Sequence, residues 1–181
     1  HFLLGKAYAQ TGSPKGVERE LRTALEKEED FLQARLVLAQ LLIRTGKVEL
    51  ARAQVERLRN THADHPEVAV RAAQLAVREE RWQDAVAAYR NALDRHASSR
   101  WTRDLAAVQQ QAGHPEEARK TLEDWLQSHP DDPPARLALA NLYLERGLRS
   151  EAKQAFREVV AKRPNNVAAL SWLQRLYREG G

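Results

Sequence analysis

Residue types recur every 33 or 34 positions along this chain, and this period constrains the fold more than any single motif does. Each period carries one small side chain and, four residues later, a bulky apolar one. The small positions are Val17, Ala51, Ala85, Ala118 and Ala152, and the bulky positions are Leu21, Val55, Tyr89, Leu122 and Phe156. Stacked helical hairpins have periods of this length, because each hairpin buries its apolar side against its neighbours. The period predicts an all-α, right-handed superhelical solenoid of antiparallel helix pairs, with about five repeats plus one extra helix.

Apolar spacing of three and four residues predicts where the helices of each pair lie. The first helix of a pair is predicted at residues 1–10, 32–45, 66–79, 99–112, 133–146 and 167–178. The second is predicted at residues 14–27, 48–60, 82–95, 115–128 and 148–162. Glycines follow the first helices in register, where a left-handed residue is common: Gly12, Gly46, Gly113, Gly147 and Gly181. Glu80 takes that place in the third repeat, so we expect it to be left-handed at a cost of roughly 1 kcal/mol.

The repeated positions resemble the tetratricopeptide repeat (TPR), and the resemblance covers nearly the whole chain. The fifth repeat carries the TPR pattern most fully, as Leu139, Ala140, Tyr143, Gly147, Ala152, Phe156, Val159 and Pro164. The third and fourth repeats depart from it, with Ala76 and Gln109 in place of the tyrosine. The resemblance implies repeats at approximately 1–31, 32–65, 66–98, 99–132 and 133–166 and a final helix at 167–179. Because the chain opens inside a helix and contains no methionine, we expect it to be one section of a longer protein.

Two stretches are similar to the TPR lipoproteins of bacterial exosortase (PEP-CTERM) systems. They are the run from Ser128 to Pro133 and the run from Pro164 to Leu170. This narrower resemblance implies a periplasmic, membrane-anchored protein that serves polysaccharide export or protein sorting. Without it, the expected location is the cytoplasm.

The sequence offers no site for catalysis, a cofactor or a metal. It has no cysteine, no glycine-rich phosphate loop and no nucleophile elbow. His62, His96 and His129 take the same turn in successive repeats, and the pair His62 and His65 lacks the helical spacing of metal ligands. The net charge of +4 arises from basic and acidic residues that alternate along helix surfaces. Such alternation indicates solvated helix faces rather than a nucleic-acid site, and no transmembrane segment is predicted.

The first helices are the best place to look for a partner site, because they line the concave groove of a TPR array. Apolar residues with flanking amides and arginines suit a peptide segment, whose backbone the amides can bond and whose carboxylates the arginines can meet. The alternative is that these apolar residues only pack against neighbouring helices. The predicted groove residues are Leu36, Gln40, Ile43, Arg44, Val70, Gln74, Val77, Arg78, Arg103, Leu137, Asn141 and Leu144.

These patterns predict a non-enzymatic scaffold that binds a segment of a partner protein in its groove, and the narrower resemblance adds a role in bacterial envelope export or sorting. The alternative is a regulatory or targeting TPR domain of an enzyme whose catalytic part lies outside this segment. The known chaperone-tail clamp does not match, because Leu36 and Gln40 stand where Lys and Asn would be needed. The asparagine ladder of sugar-transferring TPR enzymes does not match either, since Val37, Arg71 and Asp104 take its positions.

Overall fold

The computed structural model describes residues 14–179, which form ten α-helices and no strand. Five of them are second helices of their repeats: α1 (Pro14–Lys27), α3 (Val48–Thr61), α5 (Trp82–Arg95), α7 (Pro115–Ser128) and α9 (Arg149–Lys162). The other five are first helices: α2 (Leu32–Arg44), α4 (Pro66–Arg78), α6 (Ser99–Gln111), α8 (Pro133–Glu145) and α10 (Val167–Glu179). Each predicted end lies within one residue of the observed end. The helix predicted at 1–10 lies outside the described residues, as do Gly12 and Gly181.

The turn inside each repeat has one geometry, repeated four times. Gly46, Gly113 and Gly147 have φ values of 73°, 83° and 72°, and Glu80 has φ 57°, which confirms the predicted left-handed column. The residue after each of them donates its N–H to a carbonyl five positions back, at 2.9 Å, as between Lys47 and Leu42. This bond satisfies a carbonyl at the end of the first helix and starts the second helix in the opposite direction.

The chain forms two compact units, unit 1 over His1–His96 and unit 2 over Ala97–Gly181. Within the described residues, unit 1 contains α1 to α5 and unit 2 contains α6 to α10. The small residues of the repeat, Ala51, Ala85, Ala118 and Ala152, have no exposed surface at all. Because alanine lets the two backbones of a pair approach closely, the bulky residue one turn later can fill the space beside it.

The core of unit 1 is formed mainly by the leucines of α2 and the apolar faces of α1 and α3. In unit 2, Phe156 is fully buried and its ring stacks on that of Trp172, with 6.3 Å between centroids. Trp125 stands where the TPR pattern usually has alanine, and its indole N–H donates to Asp132 at 2.7 Å. The same carboxylate caps α8 by accepting from the N–H of Ala135 at 3.0 Å. A polar partner therefore accommodates this large side chain between α7 and α8.

Candidate functional site

The first helices of unit 1 are joined by one buried arginine. Arg71 on α4 is 8% exposed, and its Nε donates to the carbonyl of Leu36 on α2 at 3.1 Å. Its two terminal nitrogens donate to Oε1 of Gln74 at 3.0 Å and to Oε1 of Gln40 at 3.4 Å. Glu67 lies 3.5 Å from the same guanidinium, so the buried charge has an acidic partner. Arg71 thus fixes two glutamine side chains, one on each helix, at the junction of α2 and α4.

This arrangement determines what the glutamines can offer to a ligand. In both side chains the amide oxygen accepts from Arg71, so the amide nitrogen, with its two N–H groups, points elsewhere. Both glutamines are half-buried, which limits the entropy lost when they bind. Paired amide donors on adjacent helices suit the backbone carbonyls of a peptide.

Two arginines lie at the carboxyl ends of the same two helices. Arg44 on α2 and Arg78 on α4 are both exposed, and Arg78 approaches the carbonyl of Arg44 at 3.5 Å. Val77 beside them is half-buried and provides apolar surface. The structure therefore brings together Gln40, Gln74, Arg44, Arg78 and Val77, and we call this set the first-helix face of unit 1.

Three residues predicted to line the groove belong instead to the core. Leu36 is 1% exposed, Val70 2% and Ile43 6%, so a partner cannot contact them without displacing other side chains. These three residues pack against neighbouring helices, which is the alternative interpretation of the apolar positions. The physical reason is that each lies on the side of its helix that the neighbouring helices cover. Of the predicted apolar residues, only Val77, Leu137 and Leu144 keep surface for a ligand.

The first helices of unit 2 carry a different set of polar side chains. Gln110 on α6 donates its amide N–H to Glu145 on α8, so this donor is already used within the unit. Arg103 is half-buried, and its Nε forms no hydrogen bond among the described residues. Burial raises the pKa of the neighbouring Asp104 carboxyl, against the nearby charges of Arg100 and Arg103. Asn141 on α8 is exposed. Unit 2 therefore lacks the pair of oriented glutamines seen in unit 1.

The histidines take structural positions. His62, His96 and His129 are the residues that directly follow α3, α5 and α7. The ring of His129 stacks on Trp125 at 3.8 Å between centroids and bonds Ser128 Oγ at 2.9 Å. Within residues 14–179, no group of three His, Cys, Asp or Glu side chains is placed to hold a metal ion.

The sequence pattern does not identify Arg71 as a residue of this site and indicates only a mismatch to the asparagine ladder at that position. The available signal was an arginine on the buried side of an amphipathic helix, with Gln74 three residues later on the same face. What no pattern could supply is that its partners, Leu36 and Gln40, lie 35 and 31 residues earlier in the chain.

None of the helices between residues 14 and 179 combines the length and apolar character that crossing a membrane requires. The model of the tetratricopeptide repeat family matches residues 8–75, 76–142 and 112–176. No curated protein sequence matches the chain.

Three solved structures with the same fold illustrate the likeness. The thermophilic TPR protein TTC0263 of Thermus thermophilus is 18% identical with a TM-score of 0.76, covering 97% of this chain and 96% of that one. Pseudomonas aeruginosa pilF is 21% identical with a TM-score of 0.77, covering 98% and 81%. YrrB, described as a TPR protein with an unusual peptide-binding site, is 19% identical with a TM-score of 0.63, covering 88% and 83%. Because the family model matches nearly the whole length of this chain, the chain belongs to the tetratricopeptide repeat family.

Proposed function

We propose that this chain is a non-enzymatic scaffold that binds a segment of a partner protein on the first-helix face of unit 1. TPR proteins generally mediate protein–protein interaction and are generally non-catalytic, and one structural relative is described by its peptide-binding site. The observation that carries the proposal is the clamp of Arg71 on Gln40 and Gln74, which leaves both amide nitrogens for a ligand.

The partner segment is extended or helical and carries an acidic residue. Its backbone carbonyls accept from Gln40 and Gln74, and its carboxylate meets Arg44 or Arg78 in a charge-assisted hydrogen bond. Val77 supplies the nearest apolar contact in unit 1. On unit 2, the partner-binding role of Leu137, Leu144, Asn141 and Arg103 stays a prediction from the sequence. A role in envelope export or sorting stays a prediction, as does the alternative of a targeting domain attached to an enzyme.

The test compares two double variants in binding to a partner isolated with the wild-type chain. Transient contacts of this kind have micromolar affinity, about −8 kcal/mol. Arg44→Ala with Arg78→Ala removes charge-assisted bonds worth roughly 1.5–3 kcal/mol, so affinity should fall about ten- to hundredfold. The melting temperature should barely move, because exposed substitutions usually change stability by less than about 0.5 kcal/mol.

A matched control removes the same charge from second helices. Lys120 and Arg157 are exposed on α7 and α9 and form no ion pair within residues 14–179. The control variant Lys120→Ala with Arg157→Ala should bind as the wild type does. Binding that survives the Arg44 and Arg78 changes but is lost in the control would move the site to the second helices and reject the proposal.

A further inference from the structure

A second groove lies on the other side of unit 1, between the second helices α3 and α5 and above the first helix α4. It has a volume of about 1040 Å³. Its floor is formed by alanines of α4, with Ala69 and Ala72 half-buried and Ala76 buried beneath, and Ala87 and Ala88 of α5 extend it up one wall. We call it the α3–α5 groove.

The same repeat geometry produces two counterparts, and larger side chains partly fill both. Where the α3–α5 groove has Ala69, the groove between α1 and α3 has Arg35, and the groove between α7 and α9 has Arg136. Arg35 donates to Gln54 on α3 at 2.9 Å, and Arg136 bonds Glu158 on α9. Each of these arginines therefore reaches from the first helix to a second helix.

At the other floor positions too, an alanine of the α3–α5 groove corresponds to a larger residue in the two counterparts. Ala72 corresponds to Leu38 and Leu139, and Ala76 corresponds to Leu42 and Tyr143. The groove between α1 and α3, which Leu38 and Arg35 line, measures about 420 Å³. The groove with alanines on its floor therefore has more than twice the volume of the groove lined by Leu38 and Arg35.

The walls of the α3–α5 groove carry more positive than negative charge. Arg52, Arg59, Arg81 and Arg95 line it, together with the two carboxylates of Glu56 and Asp84. Arg52 forms ion pairs with Glu49 and Glu79, and Arg81, which precedes α5, forms ion pairs with Glu79 and Asp84.

Two of these arginines keep donors for a ligand. Arg59 is exposed and forms no hydrogen bond or ion pair within residues 14–179. Arg95 bonds Asn91, and its nearest carboxylate, Asp64, is 3.8 Å away and fully exposed. The positions of Arg59 in the two filled grooves hold Leu25 and Leu126, so this cation is specific to the α3–α5 groove.

We propose that the α3–α5 groove is a second binding site, which takes an acidic amphipathic helix of a partner protein. The walls are 14-residue helices, so the groove runs for about 21 Å, the length of four helical turns. Ala69 and Ala72, three residues apart on one helix face, let a partner helix approach closely, with its own small or apolar residues on the floor. Carboxylates on that helix bind Arg59 and Arg95 from opposite walls. Glu56, Asp84 and the apolar floor disfavour a nucleic-acid backbone in the same place.

The test uses a yeast-displayed library of 14-residue helical peptides with randomised exposed positions, sorted against the purified chain. Enriched peptides should be acidic and bind with micromolar Kd. Their affinity should fall at least tenfold in Arg59→Glu with Arg95→Glu, because both walls then repel carboxylates. Lys120→Glu with Arg157→Glu makes the same change in net charge and should leave affinity within twofold. The Arg44→Ala, Arg78→Ala variant should also bind normally, which separates this site from the first-helix face.

A second variant closes the groove without removing positive charge. Ala69→Arg with Ala72→Leu copies the residues of the filled grooves and should abolish peptide binding while circular dichroism shows the same helicity. If this variant fails to fold, the Arg59→Glu, Arg95→Glu variant alone tests the proposal. Four results overturn the proposal: no enriched peptide, enrichment without acidic bias, equal binding to both charge-reversed variants, or binding lost in the Arg44 and Arg78 variant. Self-association, or binding of a poly-dT oligonucleotide, that is lost in the reversed variant would assign the groove to another occupant.

Discussion

The α3–α5 groove of unit 1 and the groove between α7 and α9 of unit 2 are formed by equivalent helices but are lined by side chains of different size. In unit 2, Tyr143 extends from α8 and donates its hydroxyl to Glu123 on α7 at 2.8 Å. Burial and this bond to a carboxylate raise the pKa of the Tyr143 phenol to about 12. In unit 1 the same position is Ala76, which is among the residues that line the α3–α5 groove but is only 2% exposed. The TPR pattern names the tyrosine as the regular residue, so the third repeat departs from the pattern where the α3–α5 groove lies.

The ion pairs near these two grooves are also arranged alike, although some of the residues that form them differ. Arg52 in unit 1 binds Glu49 and Glu79, and the equivalent Arg119 in unit 2 binds Glu116 and Glu123. In unit 2 the tyrosine hydroxyl joins this network through Glu123, whereas in unit 1 Arg81 joins it through Glu79. Repeats can therefore exchange the residues that fill a groove while the helices beneath keep their packing.

The largest expected effect comes from opening the filled groove. Tyr143→Ala removes a half-buried ring and a hydrogen bond, so the free energy of unfolding should fall by about 2–4 kcal/mol in urea denaturation. Tyr143→Phe keeps the ring and should cost about 1 kcal/mol. Ala72→Leu in unit 1, which places at this position the leucine that its counterpart Leu139 has in unit 2, should raise stability by up to about 1 kcal/mol, since added apolar surface leaves water. If Tyr143→Ala were neutral, the ring would not be what holds the unit 2 groove closed.

The two units should respond alike where their cores agree. Ala51→Leu in unit 1 and Ala152→Leu in unit 2 each place a larger side chain at a position with no exposed surface. Each should lower the free energy of unfolding by roughly 1–3 kcal/mol through overpacking. The same urea denaturation measures both variants. If Ala51→Leu left the free energy of unfolding unchanged while Ala152→Leu lowered it, the cores of the two units would differ, as the grooves do.

The turns give a pair of changes with opposite signs. Glu80→Gly relieves a left-handed non-glycine residue in unit 1 and should stabilise the chain by about 1 kcal/mol. Gly113→Ala imposes the same strain in unit 2 and should destabilise it by about 1 kcal/mol, because an added Cβ there would meet nothing within 4 Å and only the backbone matters. Thermal unfolding measures both, and equal signs would contradict the common turn geometry.

The smallest expected effect is the pH dependence that Glu79 contributes in unit 1. Burial works to raise the pKa of Glu79, but hydrogen bonds from Arg52 and Arg81 outweigh it, and the pKa lies below its ordinary value of 4.5. A lowered folded pKa stabilises the fold above about pH 4.5, and this contribution is lost as pH falls through the folded value. Glu79→Gln should therefore flatten the acid side of the stability curve. Glu26→Gln, which removes an exposed carboxylate, should leave that limb as steep as in the wild type.

Much of the fold could be read from the sequence because it depends on local interactions. The three- and four-residue spacing placed α1 to α10, and the glycine column with Glu80 placed the turns, since φ preferences act within a few residues. The site was predicted less well. Arg44 and Arg78 lie on the surface as expected, whereas Leu36 and Val70 are buried, because periodicity identifies an apolar face but not the helices that cover it.

The sequence by itself determined the repeat, the helices and the family of this protein, because those depend on residues close together in the chain. Only the tertiary structure decided which surfaces are available. The clamp of Arg71 joins residues more than thirty positions apart. The α3–α5 groove is open because side chains of two separate helices, α4 and α5, are small at the same place. Contacts between distant segments depend on how the helices pack. A sequence pattern therefore does not reveal them until the helices are placed in space.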